Sequence, residues 1–280
     1  MHRKTSISNV PADWGHAIEG WSGWLLAGAV RAATLELRLY QLRRFARDHR
    51  HLGPFDVDAA AAASWVGGHG WQAETIRSHR AALRSFYGWA HSSGLSGHDP
   101  SRLLRKVPAA PIRPRPAPEA AIAAALAAAD PRLALMIALG SRHGLRRGEI
   151  AQAHTRDLVE DLDGWSLTVH GKGGKDRDVP LLPATAATLR AAPAGWLFPN
   201  RRGGHLTPAH TGRLLRLALS GTDGRVTGHQ LRHRYATVIY RETGDLLSVQ
   251  ELLGHASPAT TIRYVKGDQG RRRRVAAAAA

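Results

Sequence analysis

A proline-rich segment at residues 108–118 most constrains how this chain folds. It contains five prolines in eleven residues, which exclude a helix there and favour an extended polyproline conformation. The chain has 280 residues, which is long for one domain. The sequence therefore predicts a domain over residues 1–107, a stiff linker over 108–118, a second domain over 119–266 and a tail over 267–280.

The residues before the linker are predicted to be helical, because apolar side chains such as Trp14, Ile18, Trp21 and Leu25 recur at helical spacing. Four helices are expected, at about 14–25, 35–45, 58–66 and 73–90. Gly67 is expected to begin the break after the third helix. The aromatic side chains of this domain are interpreted as core residues rather than as platforms on which DNA bases stack.

The charge of the chain points to a polyanionic partner. Lysine and arginine number 39 against 22 acidic residues, a formal net charge of +17, and the usual polyanion is nucleic acid. The alternative is that the charge merely keeps the protein soluble. Cysteine is absent, which excludes disulfides and thiolate zinc sites. No apolar run reaches about 18 residues, so no transmembrane helix is expected, and a cytoplasmic location is the default expectation.

Three arginines share one face of the fourth predicted helix. Arg77, Arg80 and Arg84 stand at positions i, i+3 and i+7, which align on a helix surface. A solvated face is the simplest alternative, but together with the net charge this pattern favours a face that contacts DNA.

The second domain is predicted to be mostly helical with a small antiparallel sheet. A strand at 165–170 alternates in polarity and pairs with a second strand at about 178–181, and a glycine-rich turn at 171–175 joins them. Helices are expected to start at 119 and about 147, and to span about 131–139, 183–191, 208–220, 230–242 and 247–253.

An acidic cluster lies just before the first predicted strand, at Asp157, Glu160, Asp161 and Asp163. Such a cluster can hold a divalent metal in a nuclease. However, the run at 161–164 lacks the remaining ligands of a calcium loop. A hairpin turn is therefore the preferred interpretation, and no metal site is predicted.

Several side chains of the second predicted domain have the chemistry needed to cut a phosphodiester. Arg146 and Arg232 can each direct two N–H donors at two phosphate oxygens. His229 and His255 can donate hydrogen bonds or move protons near neutral pH. Tyr264, nine residues after His255, can attack phosphorus and hold it as an ester.

Four segments follow one another along the chain: those around Arg146, the glycine-rich turn, His229 with Arg232, and His255 with Tyr264. In this order they resemble the catalytic domain of tyrosine recombinases, the phage integrase family, over about 118–266. The resemblance implies catalytic roles for Arg146, Lys172, His229, Arg232, His255 and Tyr264. The family has its lysine first in the glycine-rich turn, so Lys172 is preferred and Lys175 is assigned to DNA contact. The four N-terminal helices resemble the family's core-type DNA-binding domain.

Site-specific recombination is the activity that this resemblance implies. Tyr264 would form a 3′-phosphotyrosyl bond and release a 5′-hydroxyl, Lys172 would protonate the leaving oxygen, and no cofactor would be needed. The expected partners are double-stranded DNA and three further copies of the chain, as a homotetramer on two DNA sites. The alternatives are a type IB topoisomerase, which uses the same chemistry, and a non-catalytic DNA-binding regulator.

Residues beside the candidates offer alternative assignments. Arg142 and Arg147 are rivals to Arg146 for the phosphate, and Glu149 is expected to fix an arginine in place. Three further residues are interpreted as structural: His233, Tyr235 and Tyr240.

Both ends of the chain depart from the larger phage integrases. Fewer than about fifteen residues precede the first predicted helix, so an arm-binding domain is not expected. Only a short tail follows Tyr264, which leaves the link between subunits open. The tail ends in five alanines, 276–280, which resemble a tag read by bacterial energy-dependent proteases. The alternative is a frayed helix end.

Overall fold

The computed structural model describes residues 10–108, 115–171, 174, 176–220, 226–254 and 277. Four candidate residues lie outside these ranges: Lys172, Lys175, His255 and Tyr264. The tail at 267–280 also lies outside them, apart from Ala277. The chain divides into two compact units, 1–111 and 112–280, and the division falls within the proline-rich segment. The finer boundaries at 107, 118 and 266 stay predictions.

Helices make up the first unit, as predicted. Its described residues form α1 (Ala12–Ala27), α2 (Ala32–Asp48), α3 (Ala59–Gly68) and α4 (Ala73–Ser92). Trp14, Trp21, Phe45 and Phe86 are fully buried between them. The rings of Trp14 and Phe86 stack at a centroid distance of 6.0 Å, and Phe45 meets Trp14 edge-on at 5.7 Å. The prediction that these aromatic residues form a core is confirmed.

Helix α3 continues through the glycines that were predicted to end it. Its last turn contains Trp65, which is buried and donates from Nε1 to a carboxylate oxygen of Asp48 at 2.7 Å. Each glycine weakens a helix by about 1 kcal/mol relative to alanine. Burial of a large aromatic side chain with a satisfied N–H outweighs that cost. The break therefore comes later, at Gly70, which has φ +60°.

The second unit is mainly helical around a small sheet, as predicted. Its described helices are α5 (Glu119–Ala128), α6 (Pro131–Ser141), α7 (Arg147–Ala151), α8 (Pro183–Arg190), α9 (Pro208–Ala218), α10 (Gly228–Thr243) and α11 (Leu246–Leu253). None of the helices described in either unit is both long and apolar enough to cross a membrane.

The sheet contains one strand more than the sequence predicted. Three antiparallel strands are described, in the order β1 (Leu158–Asp161), β2 (Gly164–His170) and β3 (Asp176–Pro180). The predicted pair corresponds to β2 and β3, in a register that opposes His170 to Asp176. The acidic cluster was assigned to a turn, but only Leu162 and Asp163 form that turn. Most of the cluster instead lies on or beside β1, an edge strand that exposes its carboxylates to solvent.

Close packing of α6 against α10 brings distant parts of the sequence together. A Cβ added at Gly140 of α6 would lie only 3.0 Å from Cδ1 of Leu231 on α10. Ile137, Leu139 and Leu231 are all buried at this contact. The turn after α6, which leads to Arg146, therefore lies beside the first turns of α10, which carry Arg232.

Candidate active site

A left-handed turn after α6 positions the first candidate arginine. Gly144 has φ +68°, and a Cβ there would lie 2.4 Å from Cδ1 of Tyr235. Both the backbone conformation and the close approach therefore require glycine. Leu145 is buried, and its backbone N–H donates to the carbonyl of Leu139 at 3.0 Å. Arg146 follows directly and caps the N-terminus of α7.

Arg146 and Glu149 form a closed pair in the first turn of α7. The backbone N–H of Arg146 donates to Oε2 of Glu149 at 2.8 Å, and its Nη1 donates to Oε1 at 2.6 Å. Its Nη2 also donates to the carbonyl of Gly254 at 3.3 Å. The Arg146 side chain is 39% exposed. Glu149 therefore contacts Arg146, and this arginine remains accessible to a ligand.

Arg232, in contrast, is buried, with only 1% of the residue exposed. Its Nη1 donates to the carbonyl of Gly144 at 2.6 Å, and its Nη2 donates to the carbonyl of Leu253. Nη1 also lies 3.8 Å from Oε2 of Glu149. These contacts place the guanidinium beside the Arg146 pair. For a phosphate to reach Arg232, the protein that covers it must move.

Arg177 belongs to the same cluster, although sequence reasoning did not select it. From β3, its Nη1 and Nη2 donate to the two oxygens of Glu149 at 3.1 Å and 2.9 Å. Its Nε donates to the carbonyl of Leu252 at 2.9 Å. The available signal was its place two residues after Lys175, on the strand that leaves the glycine-rich turn.

Glu149 is the centre of this cluster. Among the described residues, three guanidinium groups have a nitrogen within 4 Å of its carboxylate: those of Arg146, Arg177 and Arg232. Burial alone would raise the pKa of Glu149, but hydrogen bonds and charge from Arg177, and then from Arg146, lower it to about 2. The cluster therefore holds one negative and three positive charges, an excess that suits an anionic ligand.

His229 lies at the start of α10 near these charges. The residue is solvent-exposed, yet its ring is close enough to the protein that desolvation is the main cause lowering its pKa. The charges of Arg232, Arg146 and Arg147 lower that pKa further. The imidazole is consequently neutral at pH 7 and can accept a proton.

Residues beside the candidate site residues pack within the protein. His233 is buried, and its Nδ1 accepts the backbone N–H of Arg115 at 3.3 Å, which confirms a structural role. Tyr235 and Tyr240 are also buried, as predicted for residues that pack α10. The rival Arg147 runs along α9, where a Cβ at Gly212 would lie 3.2 Å from its Cδ.

The β2–β3 hairpin that carries Lys172 and Lys175 is described up to the base of its turn. His170 lies there between two carboxylates, with Nδ1 3.0 Å from Asp176 and Nε2 3.3 Å from Asp157. Hydrogen bonds to Asp176 and then Asp157 raise the pKa of His170. Both lysines lie outside the described residues, as do His255 and Tyr264, so their predicted roles stay predictions.

The arginine face of α4 contacts the protein itself. Arg77 pairs with Glu74 at 2.7 Å, and Nε of Arg80 donates to the carbonyl of Leu104 at 3.0 Å. Arg84 donates to the carbonyl of Arg102 at 3.2 Å. Arg80 and Arg84 therefore hold the segment that follows α4. Contact of this face with DNA stays a prediction.

Comparison with known proteins identifies similar sequences over most of the chain. The sequence profile of the phage integrase family matches residues 118–271. A tyrosine recombinase XerC of Rhodospirillum centenum is 37% identical over 294 residues, which cover 91% of this chain and 84% of that protein. A tyrosine recombinase XerD of Caulobacter vibrioides is 36% identical over 240 residues, which cover 75% of this chain and 77% of that protein.

Solved structures share the fold. A lambda integrase dimer bound to a COC′ core site matches with a TM-score of 0.73 and 19% identity, covering 91% of this chain and 96% of that chain. A lambda integrase tetramer bound to a Holliday junction matches with a TM-score of 0.70 and 18% identity, covering 92% of this chain and 82% of that chain. At these identities the likeness concerns the fold, which includes a helical N-terminal unit and a second unit that is mainly helical around a small sheet.

Proposed function

The chain belongs to the phage integrase family of tyrosine recombinases, and from this premise we propose how its own residues carry out site-specific DNA recombination. Tyr264 attacks a phosphodiester and keeps the 3′-phosphate as a tyrosyl ester while the 5′-oxygen leaves. Lys172 donates a proton to that oxygen. Attack by the 5′-hydroxyl of another strand reverses these steps and rejoins the DNA.

One observation carries this proposal: the arginines of two distant motifs meet at one carboxylate. Arg146 and Arg232 both lie beside Glu149, at 2.6 Å and 3.8 Å. Glu149 orients Arg146 before DNA arrives, so this arginine needs little reorganisation when charge develops on the phosphate oxygens. Arg146 is exposed enough for first contact, and Arg232 joins once the covering protein moves.

Two histidines complete the proposed proton transfers. A phenol has a pKa of about 10 and is mostly protonated at neutral pH, so Tyr264 needs a group that accepts its proton. A lowered pKa keeps His229 neutral and able to do this. His255 follows Gly254, whose carbonyl accepts from Arg146, so the chain is anchored one residue before it. We assign His255 to positioning of the phosphate.

The proposed partners are two DNA duplexes and three further copies of this chain. The tetramer of lambda integrase on a Holliday junction has the same fold, which supports this assembly without fixing how the subunits join here. The bacterial origin of the relatives supports action in the cytoplasm of a bacterium. Recognition of the alanine tail by a protease has no support from the comparisons and stays a prediction.

A nicked DNA substrate tests the assignment of the nucleophile. Tyr264→Phe should bind its DNA site with the affinity of the wild type, because only the phenolic oxygen is lost, but should form no covalent protein–DNA adduct. The adduct is measured as a protein band shifted on a denaturing gel. Tyr40→Phe is the matched control, since Tyr40 is an exposed tyrosine of the first unit and should react like the wild type.

The outcomes separate the candidate activities. Adducts followed by exchanged strands support a recombinase, and adducts without exchange indicate a type IB topoisomerase. Absence of any wild-type adduct indicates a DNA-binding regulator. An adduct formed by Tyr264→Phe at the wild-type rate would remove Tyr264 from the mechanism.

A further inference from the structure

Arg177 joins three of the four motif segments of the second unit: its own strand after the glycine-rich turn, the segment of Arg146 and Glu149, and the end of α11. It lies on β3, immediately after the glycine-rich turn, and opposes Val169 of β2. Both of its terminal nitrogens reach Glu149, and its Nε reaches the carbonyl of Leu252 near the end of α11. Its side chain is 10% exposed, so these contacts are largely shielded from water.

The end of α11 is shaped around this side chain. Gly254 has φ +58°, and a Cβ there would lie 3.0 Å from Cδ and 3.1 Å from Nη1 of Arg177. Three consecutive carbonyls at this end, those of Leu252, Leu253 and Gly254, accept from Arg177, Arg232 and Arg146 in turn. A shift of Arg177 would therefore displace the end of α11, from which the chain continues to His255.

Arg146 and Arg177 share both carboxylate oxygens of Glu149. Oε1 accepts from Nη1 of Arg146 at 2.6 Å and from Nη1 of Arg177 at 3.1 Å. Oε2 accepts from the backbone of Arg146 and from Nη2 of Arg177. Because Arg177 opposes the charge of the buried carboxylate, the charge of Arg146 is left to act on a ligand. Without Arg177, the charge of Glu149 would be opposed mainly by Arg146, since Arg232 lies farther away at 3.8 Å.

We propose that Arg177 is a positioning residue for DNA cleavage: it neutralises and holds Glu149, so that the guanidinium of Arg146 keeps its charge and orientation for the phosphate. This role rests on the proposed recombinase function. Arg177 acts through Glu149 and does not itself touch the DNA.

Cleavage of nicked DNA by charge variants tests this role. Arg177→Met should slow single-turnover cleavage about 100-fold at saturating DNA, the scale of a small misplacement in an active site, while DNA affinity changes little. Arg177→Lys should recover only part of the rate, because an ammonium keeps the charge but cannot contact both Glu149 oxygens and Leu252 together.

A second substitution distinguishes neutralisation from simple structural support. Adding Glu149→Gln to Arg177→Met removes the unopposed carboxylate while retaining an oxygen that accepts from Arg146. The double variant should therefore cleave faster than Arg177→Met alone. A residue needed only for folding would make the double variant equal to or slower than the single variant, and that result would overturn the proposal.

The leaving group provides a further check. A substrate with a 5′-sulfur leaving group needs no proton donor, so it should not rescue Arg177→Met. Rescue would mean that Arg177 acts through the hairpin of Lys172, which would contradict the assignment to Glu149. Thermal unfolding of every variant separates loss of fold from loss of rate.

Arg234 supplies the matched control. It also forms a two-pronged pair with a glutamate, donating from Nε and Nη2 to Glu119 at 2.6 Å and 3.0 Å, but it lies outside the Glu149 cluster. Arg234→Met should cleave at nearly the wild-type rate, and an equal loss in both variants would overturn the proposal. Failure of the wild type to form any adduct would instead refute the proposed function, so the two failures are distinguishable.

Discussion

His229 is the described histidine whose protonation bears most directly on the proposed chemistry. Its pKa is lowered from the ordinary value of 6.5 by desolvation and by three nearby arginines, so its neutral form persists below that pH. Cleavage that uses this neutral ring should not vary with pH near pH 7, because His229 is already deprotonated there. It should fall roughly tenfold per pH unit once the pH passes below the lowered pKa.

Single-turnover cleavage measured between pH 4.5 and about 8 checks this prediction. His229→Gln should remove the acid limb that begins below 6.5 and leave a slower rate. His16→Gln, in the first unit, should retain the wild-type profile. An unchanged acid limb in His229→Gln would assign that titration to another group.

Glu149 links protonation to stability. Its folded pKa of about 2 lies below the ordinary value of 4.5, so the ionised form stabilises the fold. The stabilisation should be complete above pH 4.5 and should decline as the pH falls towards 2. The difference between the folded and the ordinary pKa of Glu149 corresponds to on the order of 3 kcal/mol in the free energy of unfolding.

Urea unfolding of the wild type and of Glu149→Gln, followed by circular dichroism, measures this effect. The variant leaves three arginines without their carboxylate, so it should be the less stable protein at pH 7. The gap in unfolding free energy should shrink as the pH is lowered below 4.5. A gap that stays constant with pH would show that ionisation of Glu149 does not stabilise the fold.

The turn between α6 and α7 is the element on which the arginine cluster depends. Gly144→Ala should destabilise the protein in two ways: a left-handed alanine costs about 1–2 kcal/mol, and the added methyl would meet the ring of Tyr235 at 2.4 Å. Overpacking of this kind adds about 1–3 kcal/mol. DNA cleavage should also fall, because Arg146 lies two residues away.

Gly203→Ala is the matched control for Gly144→Ala. Gly203 has φ +79°, but a Cβ there would meet no atom within 4 Å. It should therefore show only the smaller backbone cost and retain wild-type cleavage. Equal loss of stability in the two variants, measured by thermal unfolding, would mean that the contact with Tyr235 relaxes without cost.

At the scale of the whole molecule, both units are expected to contribute to DNA affinity, since the net charge is +17. Binding should weaken steeply with salt as phosphates are neutralised. Arg77 is the cleanest probe of the first unit, because its described ion pair is with the exposed Glu74. Arg77→Ala should reduce the slope of log affinity against log salt by about one.

Arg50→Ala is the control, since it removes the same charge from another exposed position of the first unit. Fluorescence anisotropy with labelled DNA at several salt concentrations gives the two slopes. Equal slopes for wild type and Arg77→Ala would show that this face is solvated. Arg80 is less suitable, because its replacement would also break the hydrogen bond to Leu104.

The sequence by itself determined the helices, the β2–β3 hairpin, the division at the prolines and the candidates Arg146, Glu149, His229 and Arg232. These features depend on local periodicity, on turn residues and on a motif order that is characteristic of the family. Apolar spacing predicts which face of a helix is buried whatever the partner is. Strand β1 was missed because its exposed carboxylates conceal the alternation of a strand.

Only the tertiary structure decided which side chains meet. Arg177 contacts Glu149 across 28 residues of sequence and Leu252 across 75. No local pattern encodes such distances, because they follow from how α7, β3 and α11 pack. The same packing buries Arg232 between carbonyls and commits Arg80 and Arg84 to the segment after α4. A sequence specifies which groups can bind a phosphate, whereas packing decides which of them are oriented, neutralised or covered.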